Sequence, residues 1–217
     1  MRQMYIVVAS LALVTSAGAQ ETTRYLSKAF GYQYPMPIGT KIEAVTVVGL
    51  KGHVTIDPKK AKETAFIFVS YTCPTSMAYN DYLHTLYDEY MSRGVQFAFL
   101  TSNDEDGPGA KGRADPGVWR ENVVADTEWA QLPPMYLDSL SEVANMVGAV
   151  NTPEVYIFDS TGTLRYRGAP TDGGDRTKDY TRWALDALLA GKPVAITTTP
   201  TFGCSVHPCD QDGYGEQ

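Results

Sequence analysis

Ala65-Phe66-Ile67-Phe68-Val69-Ser70-Tyr71-Thr72-Cys73-Pro74 is the stretch on which the fold turns. Its first five residues form an unbroken apolar run, which reads as a strand buried on both faces. Beyond Pro74, the side chains of Met77, Leu83, Leu86, Tyr87 and Tyr90 recur at roughly helical spacing. That spacing predicts a helix over 74–91, stopped by Gly94. Val95-Gln96-Phe97-Ala98-Phe99-Leu100 then reads as a second buried strand. Strand, helix and strand joined by tight turns make a βαβ unit, so the two strands should run parallel.

Upstream, Lys41 to Val48 has a strand-like β-branched pattern. A turn at Leu50-Lys51-Gly52-His53 leads to a short strand, Val54-Thr55-Ile56. Downstream, residues 101–117 are a polar loop rich in Gly, Asp and Pro. Trp119 to Trp129 predicts a helix, and Pro133 to Leu137 leads in a short strand. Ser139 to Val147 predicts another helix, with Ser139 as cap and Glu142 three residues on in a capping-box pattern, ended by Gly148. Val155 to Phe158, the turn Asp159-Ser160-Thr161-Gly162 and Thr163 to Arg167 form an antiparallel hairpin. Thr181 to Ala190 is an amphipathic helix stopped by Gly191-Lys192-Pro193. This order predicts an α/β fold whose central mixed β-sheet is flanked by helices, which is the thioredoxin arrangement. The divisions expected are a leader at 1–19, a polar lead-in at 20–40, the thioredoxin-like domain at 41–193, and a tail at 194–217 with two cysteines and no strong pattern.

The chain has 217 residues, 43% of them hydrophobic, enough for a real core. Its net charge of −7 argues against a nucleic-acid partner, which needs a basic face, and against an anionic membrane surface. At the start, Arg2 is followed by the apolar stretch Tyr5 to Val14 and by Ala17-Gly18-Ala19. This is the pattern of an export signal cleaved after Ala19. The alternative is an uncleaved anchor, but the run is short for a bilayer, so no stable membrane insertion is expected. Export to a periplasmic or extracellular space follows, where disulfides persist. There are three cysteines, Cys73, Cys204 and Cys209, so at least one is free or pairs outside the chain.

Cys73 stands where a buried strand hands over to a helix. Backbone N–H groups there lack intrahelical partners, and a thiolate beside them is stabilised. Ser70 is the candidate N-cap, with a hydroxyl able to reach a nearby sulfur. The bland alternative makes Cys73 a small buried hydrophobe. Thr152-Pro153, just before a strand, is where this fold places a cis-proline opposite the helix start, pressing the Thr152 backbone on Cys73. An ordinary trans bond is the alternative. In Gly203-Cys204-Ser205-Val206-His207-Pro208-Cys209, the cysteines offer a Cys204–Cys209 disulfide, a resolving thiol for Cys73, or a metal corner. Three ligands in six residues match no standard zinc spacing, so neither a metal nor a cofactor is assigned.

These residues resemble the thioredoxin-like redoxins of the alkyl hydroperoxide reductase and thiol-specific antioxidant type. The closer likeness is to an exported subgroup in which Cys-x-x-Cys-Pro opens the first long helix. Phe68 to Pro74, Ala78 to Leu83, Thr101 to Asp104, Tyr136 to Asp138, Gly148 to Pro153, Tyr156 to Gly168, Ala187 to Pro193 and Gly203 to Ser205 carry the resemblance. Ser70 replaces the first cysteine of the motif, and only Cys73 is retained. The resulting Ser-x-x-Cys is similar to the peroxiredoxin pattern, although Phe66 stands where peroxiredoxins have a proline. Arg167 is the best candidate for their activating arginine.

The resemblance implies a thiol-based redox protein acting through Cys73, either antioxidant and peroxidase-like or a one-cysteine thiol-disulfide oxidoreductase. Cys73 would attack a peroxide or disulfide substrate, with Ser70 orienting the sulfur and Thr152-Pro153 docking the substrate. Cys204, Cys209 or an external thiol reductant would resolve the product. Two other readings stand beside it. One is a non-catalytic binding module holding a protein partner in the Cys73 and Pro153 groove. The other is a copper-handling protein using Cys73, Met77, Cys204, His207 and Cys209 as soft ligands.

Overall fold

The computed structural model describes residues 35–103, 115–125 and 135–206, all in the compact unit Pro35–Gln217. The expected leader at 1–19, residues 20–34 of the expected lead-in, and the His207 and Cys209 positions lie outside the described residues. Strand β3 (Glu63–Phe68) is the deciding apolar run, and all six of its residues are buried. It pairs in parallel with β4 (Val95–Thr101), from Glu63↔Val95 to Phe68↔Leu100. On its other side it pairs antiparallel with β7 (Glu154–Asp159). β7 forms the expected hairpin with β8 (Leu164–Gly168), and β4 pairs in parallel with β5 (Met135–Leu137). An N-terminal hairpin of β1 (Val45–Gly49) and β2 (Gly52–Ile56) extends the edge through a Val48↔Leu137 contact. The seven-stranded sheet has the order β2-β1-β5-β4-β3-β7-β8.

Alternation along β3 sends its side chains to two separate cores. Ala65 and Ile67, with Val69 just past the strand, join Leu83, Leu86, Trp119 and Leu185 on one face. Phe66 and Phe68 join Val143, Val147, Tyr156 and Phe158 on the other. An unbroken apolar run was therefore needed, because both faces are covered by helices.

The first long helix is divided. A short helix α1 (Pro74–Met77) is followed by α2 (Asn80–Met91), not by one continuous helix over 74–91. At the break, the Tyr79 N–H donates to the Ser76 carbonyl at 2.9 Å, a tightened turn. The Ala78 carbonyl accepts a hydrogen bond from the Arg176 guanidinium, which also lies over the Tyr79 ring. Helix α3 (Pro116–Ala125) starts before Trp119, and residues 126–129 of the expected helix are outside the described set.

The capping box at Ser139 does not form. Helix α4 (Glu142–Val147) begins at Glu142, with Ser141 at its N-cap in a left-handed conformation. Its free N–H groups go instead to Asp138, whose carboxylate accepts from Val143 at 3.1 Å and Ala144 at 2.9 Å. A buried carboxylate offers two acceptor oxygens at once, which the serine cannot match. Helix α5 (Tyr180–Leu189) is capped by Asp179, which accepts the Arg182 N–H at 3.0 Å. No helix among the described residues is long and apolar enough to cross a membrane.

Glu63, at the start of β3, is 5% exposed, and burial followed by the Asp159 charge pushes its carboxyl up to about 7. The folded state therefore holds a proton that the unfolded chain releases near pH 4.5. This group's contribution to stability is full below that pH and is lost as pH rises toward 7. Glu63→Gln should accordingly leave stability unchanged near pH 4 and become more stable than the wild type by pH 7. Urea melts at pH 4, 5.5 and 7 check this, and a constant difference between the proteins would contradict it.

Candidate active site

Cys73 sits five residues beyond the end of β3 and is 2% exposed. It occupies the N-cap of α1 in an extended conformation, φ −90° and ψ 114°. Its sulfur accepts the Ser76 N–H at 3.4 Å. The expectation that Ser70 caps this helix is thus corrected. Cys73 caps it because Pro74, lacking an N–H, takes the first helical position directly behind it. Ser70 is fully buried and organises the turn before the helix. Its hydroxyl accepts the Thr72 N–H at 3.3 Å and shares a 2.8 Å hydrogen bond with Thr72 Oγ1. Its carbonyl accepts the Cys73 N–H at 3.2 Å.

The Thr152–Pro153 bond is cis. The Thr152 carbonyl oxygen lies 3.3 Å from Cys73 Sγ, so the loop does press its backbone on the thiol position. Glu154 holds that loop in shape. It is 1% exposed, and one carboxylate oxygen accepts the N–H groups of Val150 at 2.8 Å and Asn151 at 3.1 Å. The other accepts the Tyr156 hydroxyl at 2.8 Å. Burial raises the Glu154 carboxyl above its ordinary value, while these donors and the Arg167 charge pull the other way.

The tail supplies the third part. Cys204 is joined to Cys73 by a disulfide with a Cα–Cα separation of 5.9 Å, across 131 residues of chain. A Cys204–Cys209 loop is therefore not what this structure contains. The physical reason is a strand pairing with no signature in the tail's own pattern. Asn151–Thr152 (β6) and Cys204–Ser205 (β9) run antiparallel, with Thr152 opposite Cys204. The Val206 N–H donates to the Val150 carbonyl at 2.9 Å. Asn151 Nδ2 donates to the Gly203 carbonyl at 3.4 Å, and Thr201 Oγ1 donates to Asn151 Oδ1 at 2.7 Å.

Gly203 makes this approach feasible. Its φ is +132°, and a Cβ there would collide with the Thr152 backbone carbonyl. Gly203→Ala should therefore prevent the tail from docking. After oxidation of the purified protein, thiol titration should find Cys73 and Cys204 free in most Gly203→Ala chains but few wild-type ones. Equal disulfide content would contradict this.

The other expected residues fall elsewhere. The Arg167 charge acts on Glu154 and Tyr156, and its buried Nε has no hydrogen-bond partner among the described residues. Met77 is 44% exposed. Of the five soft ligands of the copper reading, Cys73 and Cys204 are consumed in the disulfide, and His207 and Cys209 lie outside the described residues. Among the described residues, no three His, Cys, Asp or Glu side chains cluster as a metal site. Glu154, and the role of Gly203, were not visible in the sequence reading. Glu154 directly after Thr152-Pro153 was the available signal for the first, since a carboxylate at a buried strand entrance needs partners.

No protein-family model matches the chain, and no curated protein matches it significantly. Solved structures do. A hypothetical protein from Sinorhizobium meliloti is 25% identical, with a TM-score of 0.66 over 80% of this chain and 95% of its own. An uncharacterised conserved protein from Geobacillus kaustophilus is 29% identical, with a TM-score of 0.66 over 79% of this chain and 92% of its own. A candidate thiol:disulfide interchange protein DsbE from Chlorobium tepidum is 15% identical, with a TM-score of 0.55 over 71% and 99%. Topology and these likenesses agree: the chain has the α/β thioredoxin-like fold, a central mixed sheet with flanking helices.

Proposed function

We propose that this protein is a thiol-disulfide redox protein in which Cys73 is the reacting thiol and Cys204 its resolving partner. The observation that carries the reading is the disulfide joining the cysteine at the α1 start to the tail, against the cis Thr152–Pro153 bond. The position vacated by the first motif cysteine holds Ser70, and the second thiol arrives from the far end of the chain.

The chemistry follows from exposure and leaving-group quality. Cys204 is half-buried, whereas Cys73 is almost wholly covered. An external thiolate would attack the Cys204 sulfur, forming a mixed disulfide there and expelling Cys73 as a thiolate. The Ser76 N–H supports that leaving sulfur, and a better-stabilised thiolate leaves faster. A second external thiol then releases Cys204 as a free thiol and leaves with the external disulfide. In the other direction, Cys73 attacks a substrate disulfide and Cys204 resolves the mixed disulfide. The reductant is accordingly an exogenous thiol or a dithiol protein, and the leader suggests an exported setting.

The test is the alkylation rate of Cys73 against pH in the fully reduced protein. The expected result is reaction governed by an ionisation well below the free-thiol value of about 8.5. An ionisation at or above that value, with no reaction toward small disulfides, would overturn the reading in favour of a binding role.

A further inference from the structure

We infer that residues 202–206 occupy the groove in which a partner's disulfide-bearing segment binds, so that resolving the mixed disulfide and evicting the product are one movement of the tail. The inference rests on the redox reading of Cys73.

The arm is bound as an extended peptide would be. Its backbone pairs antiparallel with β6, and its cysteine sits opposite Thr152. Two side chains flank that cysteine at matching spacing. Phe202, two residues before it, places its ring 6.4 Å from the Tyr79 ring. Val206, two residues after it, is 7% exposed and joins the apolar cluster containing Val147 and Ala149. The groove therefore fits an extended segment with a cysteine, a ring two positions before it and a branched aliphatic side chain two positions after it.

The arm is also tethered independently of its disulfide. Thr197 and Thr199 run along the exposed edge of β8, where the Arg167 N–H donates to the Thr197 carbonyl at 3.0 Å. The Thr199 N–H returns to the Arg167 carbonyl at 3.2 Å. Thr199 Oγ1 accepts the Ala169 N–H at 3.0 Å and shares a 2.9 Å hydrogen bond with the Tyr166 hydroxyl. Only Pro200 to Gly203 separate this clamp from Cys204. Once reduced, the arm is freed from Cys73 but held within reach, at high effective concentration.

With both thiols reduced, the arm gives way to a segment whose cysteine is part of a disulfide. Cys73 thiolate attacks that sulfur, a Cys73–substrate disulfide forms, and the substrate's other cysteine leaves as a thiolate. Cys204 thiolate then attacks the Cys73 sulfur, the Cys73–Cys204 disulfide forms, and the segment leaves as a thiolate. Two electrons pass from the protein's cysteine pair to the substrate disulfide. Because Cys204 returns with its strand, it reclaims the same backbone hydrogen bonds that held the substrate.

The experiment uses the full chain with Cys204→Ser and Cys209→Ser, fully reduced, and three chromogenic thionitrobenzoate disulfides. The first is made from the peptide Thr-Phe-Gly-Cys-Ser-Val, the second from that peptide with its Phe and Val replaced by Ser, and the third from glutathione. The tail-like peptide should react about tenfold faster or more than the other two, the size expected from burying one aliphatic side chain. Equal rates for all three overturn the inference while leaving Cys73 a reactive thiol. No reaction with any of them overturns the redox reading as well. A second measurement keeps the cysteines intact. Reduced wild-type protein should hold the tail-like peptide only transiently, whereas Gly203→Ala, whose arm cannot return, should hold it severalfold longer. Equal lifetimes would contradict the coupling of resolution to eviction.

Discussion

A Cys73→Ser protein is expected to reduce model disulfides no faster than the buffer does, while its thermal unfolding stays cooperative. The sulfur at this position is the only one held against both the Ser76 N–H and the Thr152 carbonyl among the described residues. A serine hydroxyl there is not ionised near neutral pH and cannot form a disulfide. Ser70→Ala tests a different part of the site. Its loss removes the hydrogen bonds to Thr72 but no sulfur, so exchange should be slowed and not abolished. Turnover of a small aromatic disulfide, followed by absorbance, checks both. A Cys73→Ser protein with wild-type turnover would place the chemistry on Cys204 or Cys209 instead.

Reducing the Cys73–Cys204 bond in the wild type should lower unfolding stability by about 2–5 kcal/mol, the range found when a native disulfide is removed. The bond closes 131 residues of chain, so the unfolded state gains much freedom when it opens. Cys204→Ser should show the same loss without reductant, and reductant should then add nothing further. Guanidinium melts of the two proteins, with and without reductant, make the comparison. An unchanged midpoint for the reduced wild type would mean that the tail's hydrogen bonds, and not the disulfide, carry the docking.

Much of the frame was legible because its signals are local. Ala65 to Val69 reads as a strand covered on both faces, and the apolar run at Val95 to Leu100 matched it as a parallel neighbour. Thr152-Pro153 was legible as a cis bond only because the element order had already placed it opposite Cys73. Most of what escaped depends on partners distant in sequence or on how a buried turn is packed. The break between α1 and α2 involves Arg176, almost 100 residues downstream of the carbonyl it meets. The cap of α4 went to Asp138 and not Ser139, because the choice depends on which side chain the buried turn brings under the helix. The pairing of Cys204 with Cys73 rests on two residues of strand, and two residues have no period to read. Gly203 stood in the tail motif, but what it does there depends on the Thr152 carbonyl, about 50 residues upstream, that closes against it.

The redox chemistry is tested by equilibrating the native protein in a series of thiol-to-disulfide ratios and counting labelled cysteines by mass. Cys73 and Cys204 should become labelled together, in one reversible two-electron transition, while near-ultraviolet circular dichroism stays native. If the pair resists labelling until denaturant unfolds the chain, the disulfide is a structural staple and the proposed chemistry at Cys73 is contradicted.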